Sequence, residues 1–430
     1  MKLEKIKNYK KIIIGGLVVV GIITTLILIT SRAKYQNVES IDLVSGTINY
    51  IPTDIDLIAI QIENEAGEYE DTSAVPTSGY ALSDKSYCNV NGEKDTSITL
   101  TYESDKIGVS NISKKIKCYL FFDKKVSAVD KVIGDTDIIK DKTDINGLAT
   151  ARDTGIYSAP DDYGTSYYFR GIEGNLNNWL EFAGFYWRII RVNGNGSIRI
   201  IYSGIANDKP SKLNKIGDKT HINGEIYPYS LSMGDNSYVG YINSLNGSGN
   251  STSYMEAHSN LYDSSIKKEI DNWYKAYVVD KSLDDYIDLE SGFCNDQQIV
   301  DTGDSRYEVL GYGKNATVYA PRERINSSPT LKCTNMSRDL FTHTSANIGN
   351  KKLQYPIGLI TLDELMFAGA YGSGANTTFY LYTNTNYWTM SPRDYEGVAT
   401  TVFTFRNDGI FHHNYGVNNY AGIRPVLSLN

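Results

Sequence analysis

Short runs in which apolar and polar positions alternate, each closed by Gly, Asn, Asp or Pro, recur along this chain and predict β-strands. Residues 57–62 (LIAIQI) read as one strand, 97–102 alternate, and 116–122 form a strong strand carrying Cys118. Residues 181–192 and 197–202 flank Asn193-Gly194-Asn195-Gly196, the pattern of a hairpin. Near the C-terminus, 398–405 are β-branched and aromatic, Asn407-Asp408-Gly409 turns the chain, and 423–429 place Ile423, Leu427 and Leu429 on one face. Two stretches switch to a helical period. In 264–278, Ile266, Ile270, Trp273, Tyr274 and Tyr277 recur every three or four residues, a core-facing stripe. Thr361-Leu362-Asp363-Glu364 opens the second as a capping box, in which the Thr hydroxyl and the Glu carboxylate satisfy free amides reciprocally. The mixture predicts an α+β chain.

The N-terminal pattern is different. Residues 1–11 hold five lysines and one glutamate, and 12–30 are nineteen uncharged positions, long enough to cross a bilayer core of about 30 Å as a helix. A cleaved signal peptide is the alternative, but its apolar core usually spans about 7–15 residues and Ser31-Arg32-Ala33 is a poor cleavage site. The expectation is a transmembrane anchor at 12–31 with residues 1–11 in the cytoplasm and the rest outside the cell, on the side away from the lysines.

Beyond the anchor the chain divides into a polar stalk (32–45), a small all-β, immunoglobulin-like module (46–122), a charged linker (123–160) and a large domain (161–430). The module reads as a spacer, with a separate binding module as the alternative. The run at 141–147 (DKTDING) lacks the carboxylate spacing of a calcium loop. Outside the cell the four cysteines predict disulfides, and sequential pairing, Cys88 with Cys118 and Cys294 with Cys333, is the economical choice. The polar stretch 279–355, tied by the second pair, has the character of a functional surface loop.

Composition narrows the partners. A net charge of −8 over 430 residues argues against nucleic acid, which needs a basic face. The 34 tyrosines reflect either a base composition that inflates Tyr, Asn, Ile and Lys together or a contact surface, since Tyr offers area with one polar handle.

The hairpin at Trp187-Arg188-Ile189-Ile190, the two helices, the segment Tyr387-Trp388-Thr389-Met390-Ser391-Pro392 and the closing Gly422-Ile423-Arg424-Pro425-Val426-Leu427 resemble a C-type-lectin-like domain. More closely, they resemble an uncharacterised C-terminal domain of surface proteins from low-GC Gram-positive bacteria. The resemblance covers about 161–430. It implies that the first and last strands of the domain pair, Trp187–Val192 beside 423–429. The E-P-N, Q-P-D and W-N-D triplets of calcium-dependent lectins are missing, and so are the late cysteines of the formylglycine-generating branch.

No catalytic set, metal site or cofactor motif assembles. Ser264-Ser265-Ile266-Lys267 matches S-x-x-K but opens a helix, and reads as a cap plus a solvated lysine. Gly311-Tyr312-Gly313 is a weak dinucleotide look-alike, and His412-His413 an exposed pair. The reading is therefore a membrane-anchored surface binding protein, with a glycan, cell-wall polymer or host protein as ligand. Its expected contact face is the loop after Trp388 (Arg393, Asp394, Tyr395) with the loop before the last strand (Arg406, His412, His413, Asn414, Tyr415), because planar Arg, aromatic faces and amides suit sugar hydroxyls and peptide edges. A structural component of the envelope, or an extracytoplasmic enzyme, are the alternatives.

Overall fold

The alternating runs fold as β-sheet. The computed structural model describes residues 55–430 except 65, 77–79, 104–105, 113–114, 125–131, 133–137, 140–146, 206–216, 326–327, 344–350, 373 and 412–414. The expected cytoplasmic tail, anchor and stalk (1–45) lie outside the described residues, as do His412, His413 and Asn414. Among the described residues no helix is long and apolar enough to cross a membrane.

The chain divides into two units, Met1–Val126 and Ser127–Asn430. In the first, β1 (Ile55–Glu63), β2 (Tyr87–Val90) and β3 (Ile116–Lys124) form the centre of one sheet, with β3 parallel to β1 and antiparallel to β2. Along β3, Ile116, Cys118, Leu120 and Phe122 are buried and the residues between them are not, as a half-buried strand requires. Cys88 and Cys118 sit opposite each other in register and are disulfide-bonded. The bridge joins neighbouring strands of one sheet, whereas the immunoglobulin pattern places it between two sheets.

The second unit begins earlier than the sequence suggests. Part of the expected linker is β4 (Gly155–Pro160), paired with β5 (Thr165–Arg170) and buried at Ile156, Tyr157 and Ala159. Then come β6 (Trp179–Phe182), β7 (Phe185–Val192) and β8 (Ile198–Ile205). A turn at Ala183 (φ 54°) and Gly184 (φ 80°) breaks the single strand expected over 181–192 into β6 and β7. A second sheet contains β9 (Ile226–Pro228), β10 (Thr317–Val318), β12 (Tyr387–Tyr395), β13 (Thr400–Phe405) and β14 (Tyr420–Gly422). The closing strand β15 (Pro425–Leu429) returns to the first sheet, in the order β11 (Gly358–Leu359), β15, β8, β7, β5, β4. It pairs with β8, so the partner expected from the resemblance, β7, lies one strand further on. Both faces of β15 are buried, which is why its alternation is incomplete.

The helices are short. Besides a four-residue helix at Met336–Asp339, α1 (Tyr254–Ala257), α2 (Ser265–Tyr277), α3 (Ala320–Arg324) and α4 (Leu362–Ala368) have 4, 13, 5 and 7 residues. The described residues are thus mainly β, and this overturns the α+β, C-type-lectin-like expectation. The two helices read from periodicity and capping are present where the sequence put them. Ile266, Ile270, Trp273 and Tyr274 bury the stripe of α2 against Trp187 and Tyr202, with ring centroids 5.7–6.0 Å apart among the two tryptophans and Tyr202. Lys267 is buried, contrary to the solvated lysine expected; it pairs with Asp263 (3.3 Å) and Asp271, four residues to either side.

The motif residues are structural ties. Arg424 is buried and donates to Tyr202 O (3.0 Å), Leu381 O (2.8 Å) and Ser203 Oγ (3.0 Å). Trp388 Nε1 donates to Tyr227 O (2.8 Å), and Ser391 Oγ accepts from Leu362 N at the start of α4 (2.9 Å). Arg188 pairs with Glu173 at 2.9 Å. Around Glu364 an ionic network closes the domain: Arg199 Nε lies 2.6 Å and Arg191 Nε 3.2 Å from its Oε1, and Arg191 also holds Asp161 at 2.7 Å. A second group pairs Arg324 with Asp363 (2.7 Å) and Asp296.

Gly422 of the closing motif packs against the buried His221 ring: a Cβ there sits 2.0–2.2 Å from three imidazole atoms. The backbone cannot easily retreat, since Gly422 N donates to Asn386 O and Ile222 N to Ile423 O. Gly422→Ala is expected to destabilise the second unit by about 1–3 kcal/mol, the usual range for overpacking. Urea denaturation reads it, and a midpoint equal to wild type contradicts the packing described.

Candidate functional site

Three of the eight contact residues expected from the sequence are buried, and a fourth, Tyr415, is half-buried. Arg393, Asp394 and Tyr395 belong to β12 and are buried, not in a loop. Asp394 accepts from both Arg322 and Arg393, and burial pushes its pKa up although Arg393 pulls it down. Tyr395 Oη donates to Gly234 O (3.2 Å). Tyr415 lies against Trp388, with ring centroids 5.3 Å apart, and donates to Tyr420 O. Arg406 pairs with Asp408 across the hairpin turn at 2.6 Å and stays partly exposed.

What the Arg393–Asp394 pair does is hold a loop. Arg322 Nη1 donates to Tyr307 Oη (2.8 Å) as well as to Asp394, and Tyr307 Oη donates to Glu396 Oε1 (2.9 Å). Glu308 N donates to Ala316 O, closing the base of the loop, and Asp304 binds the Arg306 guanidinium in the segment leading into it. The loop walls an open groove of about 490 Å³ lined by Tyr254, Gln298, Ile299, Val309, Leu310 and Tyr312. That volume lies within the range of about 300–1,000 Å³ typical of ligand sites.

The opposite wall is equally fixed. Ser253 Oγ caps α1 by accepting from Glu256 N, which sets Tyr254 in the first turn. The Tyr254 ring packs on His258 (centroids 4.3 Å apart), and Arg338, itself bonded to Asp339 at 2.7 Å, donates to Tyr254 Oη. His258 ties the walls together: its ring nitrogens lie 3.0 Å from Gln297 Oε1 and 3.0 Å from Gly311 O. Burial lowers its pKa to about 4, so the ring is neutral at pH 7. It can donate to only one of these oxygens; turning the Gln297 amide supplies the second bond, with the amide as donor. Gly311 is required at its place, because it has φ 65° and a Cβ there meets Ile299 Cδ1 at 2.2 Å.

Among the described residues no charged side chain lines this groove. Val309 and Leu310 are exposed, at 58% and 40%, beside two half-buried tyrosines. Such a surface offers flat aromatic and aliphatic patches with phenol and amide groups at their edges. The long polar stretch 279–355 holds all of these residues except Tyr254, and of them only Tyr312 stands in a motif that the sequence singles out, Gly311-Tyr312-Gly313. Their positions are scattered over 254–312 and share no period; the signals available were Gly311 and Gly313, whose φ of 65° and 59° shape the loop. Among the described residues no three His, Cys, Asp or Glu side chains converge to hold a metal ion. Both disulfides form the pairs expected from the sequence, which fits an oxidising, extracytoplasmic setting.

No family model, curated protein or solved structure matches this chain.

Proposed function

We propose that the second unit is an extracytoplasmic binding module that holds a neutral glycan, such as a segment of a cell-wall polysaccharide, in the groove between Tyr254 and Tyr312. The observation that carries this reading is an uncharged lining of two tyrosines, aliphatic side chains and one amide on walls fixed before any ligand arrives. A pyranose ring has an apolar C–H face and a hydroxyl edge, which match an aromatic face and an amide rim. Gln298 Nε2 is bonded to Ile299 O (3.1 Å), which orients the amide oxygen as an acceptor for a hydroxyl. Pre-set walls reduce the ordering cost that a ligand must offset.

The test is a glycan and cell-wall-polymer array probed with the full-length protein, followed by calorimetry on the best binder. Tyr312→Ala and Gln298→Ala are expected to weaken binding about tenfold or more, with an unchanged melting temperature, because each removes a rim contact and no core packing. Retention of full affinity in both variants sinks the reading. Binding of an apolar peptide with no glycan binding moves it to a protein partner, for which the exposed Val309 and Leu310 are the anchors.

A further inference from the structure

A second cavity, chemically opposite to the groove, lies where β7 and β8 meet the start of α4. Its volume is about 40 Å³, room for roughly three waters at about 10–15 Å³ each. Five carboxylates line it, those of the Glu364 and Arg324 ionic groups together with Asp162, against three guanidiniums. Five negative charges less three guanidiniums leave an excess of two, which Lys332, exposed at the rim and acting on Asp162, reduces to one.

The excess can be assigned to atoms. Each arginine is already committed: Arg191 to Asp161 and Glu364, Arg199 to Glu364, and Arg324 to Asp296 and Asp363. Asp162 accepts the Cys333 backbone N–H (2.9 Å) and forms no ion pair among the described residues. Asp296 gives its Oδ2 to Arg324 and Thr334, while its Oδ1 is buried without a hydrogen-bond partner, and its side chain is only 5% exposed. A buried carboxylate oxygen with an open lone pair is costly, and a cationic N–H donor is what relieves it.

We infer that this cavity is a second binding site, selective for a primary ammonium group that enters past Asp162 and donates to Asp162 and to Asp296 Oδ1. The space admits such a head and keeps its stem outside. A metal ion needs several oxygens converging on one point, which no three carboxylates do among the described residues, whereas an ammonium group brings its own N–H donors and needs only separate acceptors. Burial raises the Asp162 pKa against the pull of the Cys333 N–H, as expected of a carboxylate with no ion-pair partner beside it.

The bearer of the amine is either an amino sugar or a lysine side chain, and the two are separable. Calorimetric titrations of the full-length protein with methylammonium, glucosamine and Nα-acetyl-lysine amide are set against tetramethylammonium and N-acetylglucosamine at matched ionic strength. Saturable binding of methylammonium is expected, with no response to tetramethylammonium, which has no N–H. The tighter of glucosamine and the lysine derivative identifies the bearer. Asp162→Asn keeps an acceptor for Cys333 N–H, so it folds, and is expected to weaken amine binding about tenfold or more; Asp296→Asn does the same if it folds. Tyr312→Ala leaves amine binding unchanged, which separates this site from the groove. Methylammonium and tetramethylammonium acting alike, or Asp162→Asn binding as wild type, overturns the assignment and leaves waters and protonated carboxyls as the occupants.

Discussion

Glu364→Ala is expected to be the most damaging single substitution in the second unit, costing about 3–5 kcal/mol or more. Burial by itself pushes the Glu364 carboxyl up, but the guanidiniums of Arg199 and Arg191 outweigh it and hold the pKa below its ordinary value. The carboxylate is therefore the charge paired with the nearly inaccessible Arg199, and it shares Arg191 with Asp161. Its Oε2 also accepts from Thr361 N (3.0 Å), so alanine removes the capping box of α4 at the same time, worth about 1 kcal/mol. Glu364→Gln separates the two contributions, since glutamine can complete a capping box but cannot neutralise an arginine. The expected order of stability in urea is wild type, then Gln, then Ala, with the larger step between wild type and Gln. Arg199→Met combined with Glu364→Met should recover part of the loss, because it removes the stranded charge along with its partner. A Gln variant within about 1 kcal/mol of wild type contradicts the network's role.

That network also marks where sequence reasoning reached its end. The capping box at Thr361 and Glu364 was legible because it is local: four residues specify both hydrogen bonds. The stripe of α2, the Asn407-Asp408-Gly409 turn and the two cysteine pairs were legible for the same reason. The second use of Glu364, as the anion for Arg191 and Arg199, depends on strands more than 160 positions away, and nothing in the local pattern announces it. Arg393-Asp394-Tyr395 looked like a loop because three polar side chains in succession fit no half-buried strand. They occupy one because Arg322 and Thr401 satisfy Asp394 inside it. Lys267 could have been found: Asp263 and Asp271 stand four residues before and after it, spacing that puts both carboxylates within its reach near α2. The α+β reading gave two helices the weight of a fold class, whereas the polar stretches between them fold as short strands and bridges. The groove was least legible, since its aromatic rings meet only after the chain has closed.

Lowering the pH from about 7 to about 5 is expected to destabilise the second unit by several kcal/mol, through two buried histidines. Burial, reinforced by Arg424, takes the His221 pKa down to about 3, and burial takes that of His258 to about 4. Unfolded, both return to about 6.5. Between about pH 6.5 and those folded values, the unfolded chain binds two protons that the folded chain refuses. Stability therefore falls as pH falls, by about 1.4 kcal/mol per pH unit for each histidine where the difference is complete. Asp162, Asp363 and Asp339, raised by burial, act in the opposite sense near and above about pH 4, because the folded form takes up their protons first. The histidine effect is thus cleanest in the upper part of the window. Urea unfolding at about pH 7, 6 and 5 measures the slope, and His258→Gln should reduce it by one proton while lowering stability at pH 7. A wild-type stability that is flat over that range rules the histidines out as the cause. Ligand binding should respond differently. As long as the chain is folded His258 remains neutral at pH 5, so the bonds that tie Gly311 to Gln297 and set the groove walls persist. Affinity at the groove should then stay level over a range in which the fold that carries it is steadily weakened, and an affinity that falls in step with stability would show that the walls are not held by this ring.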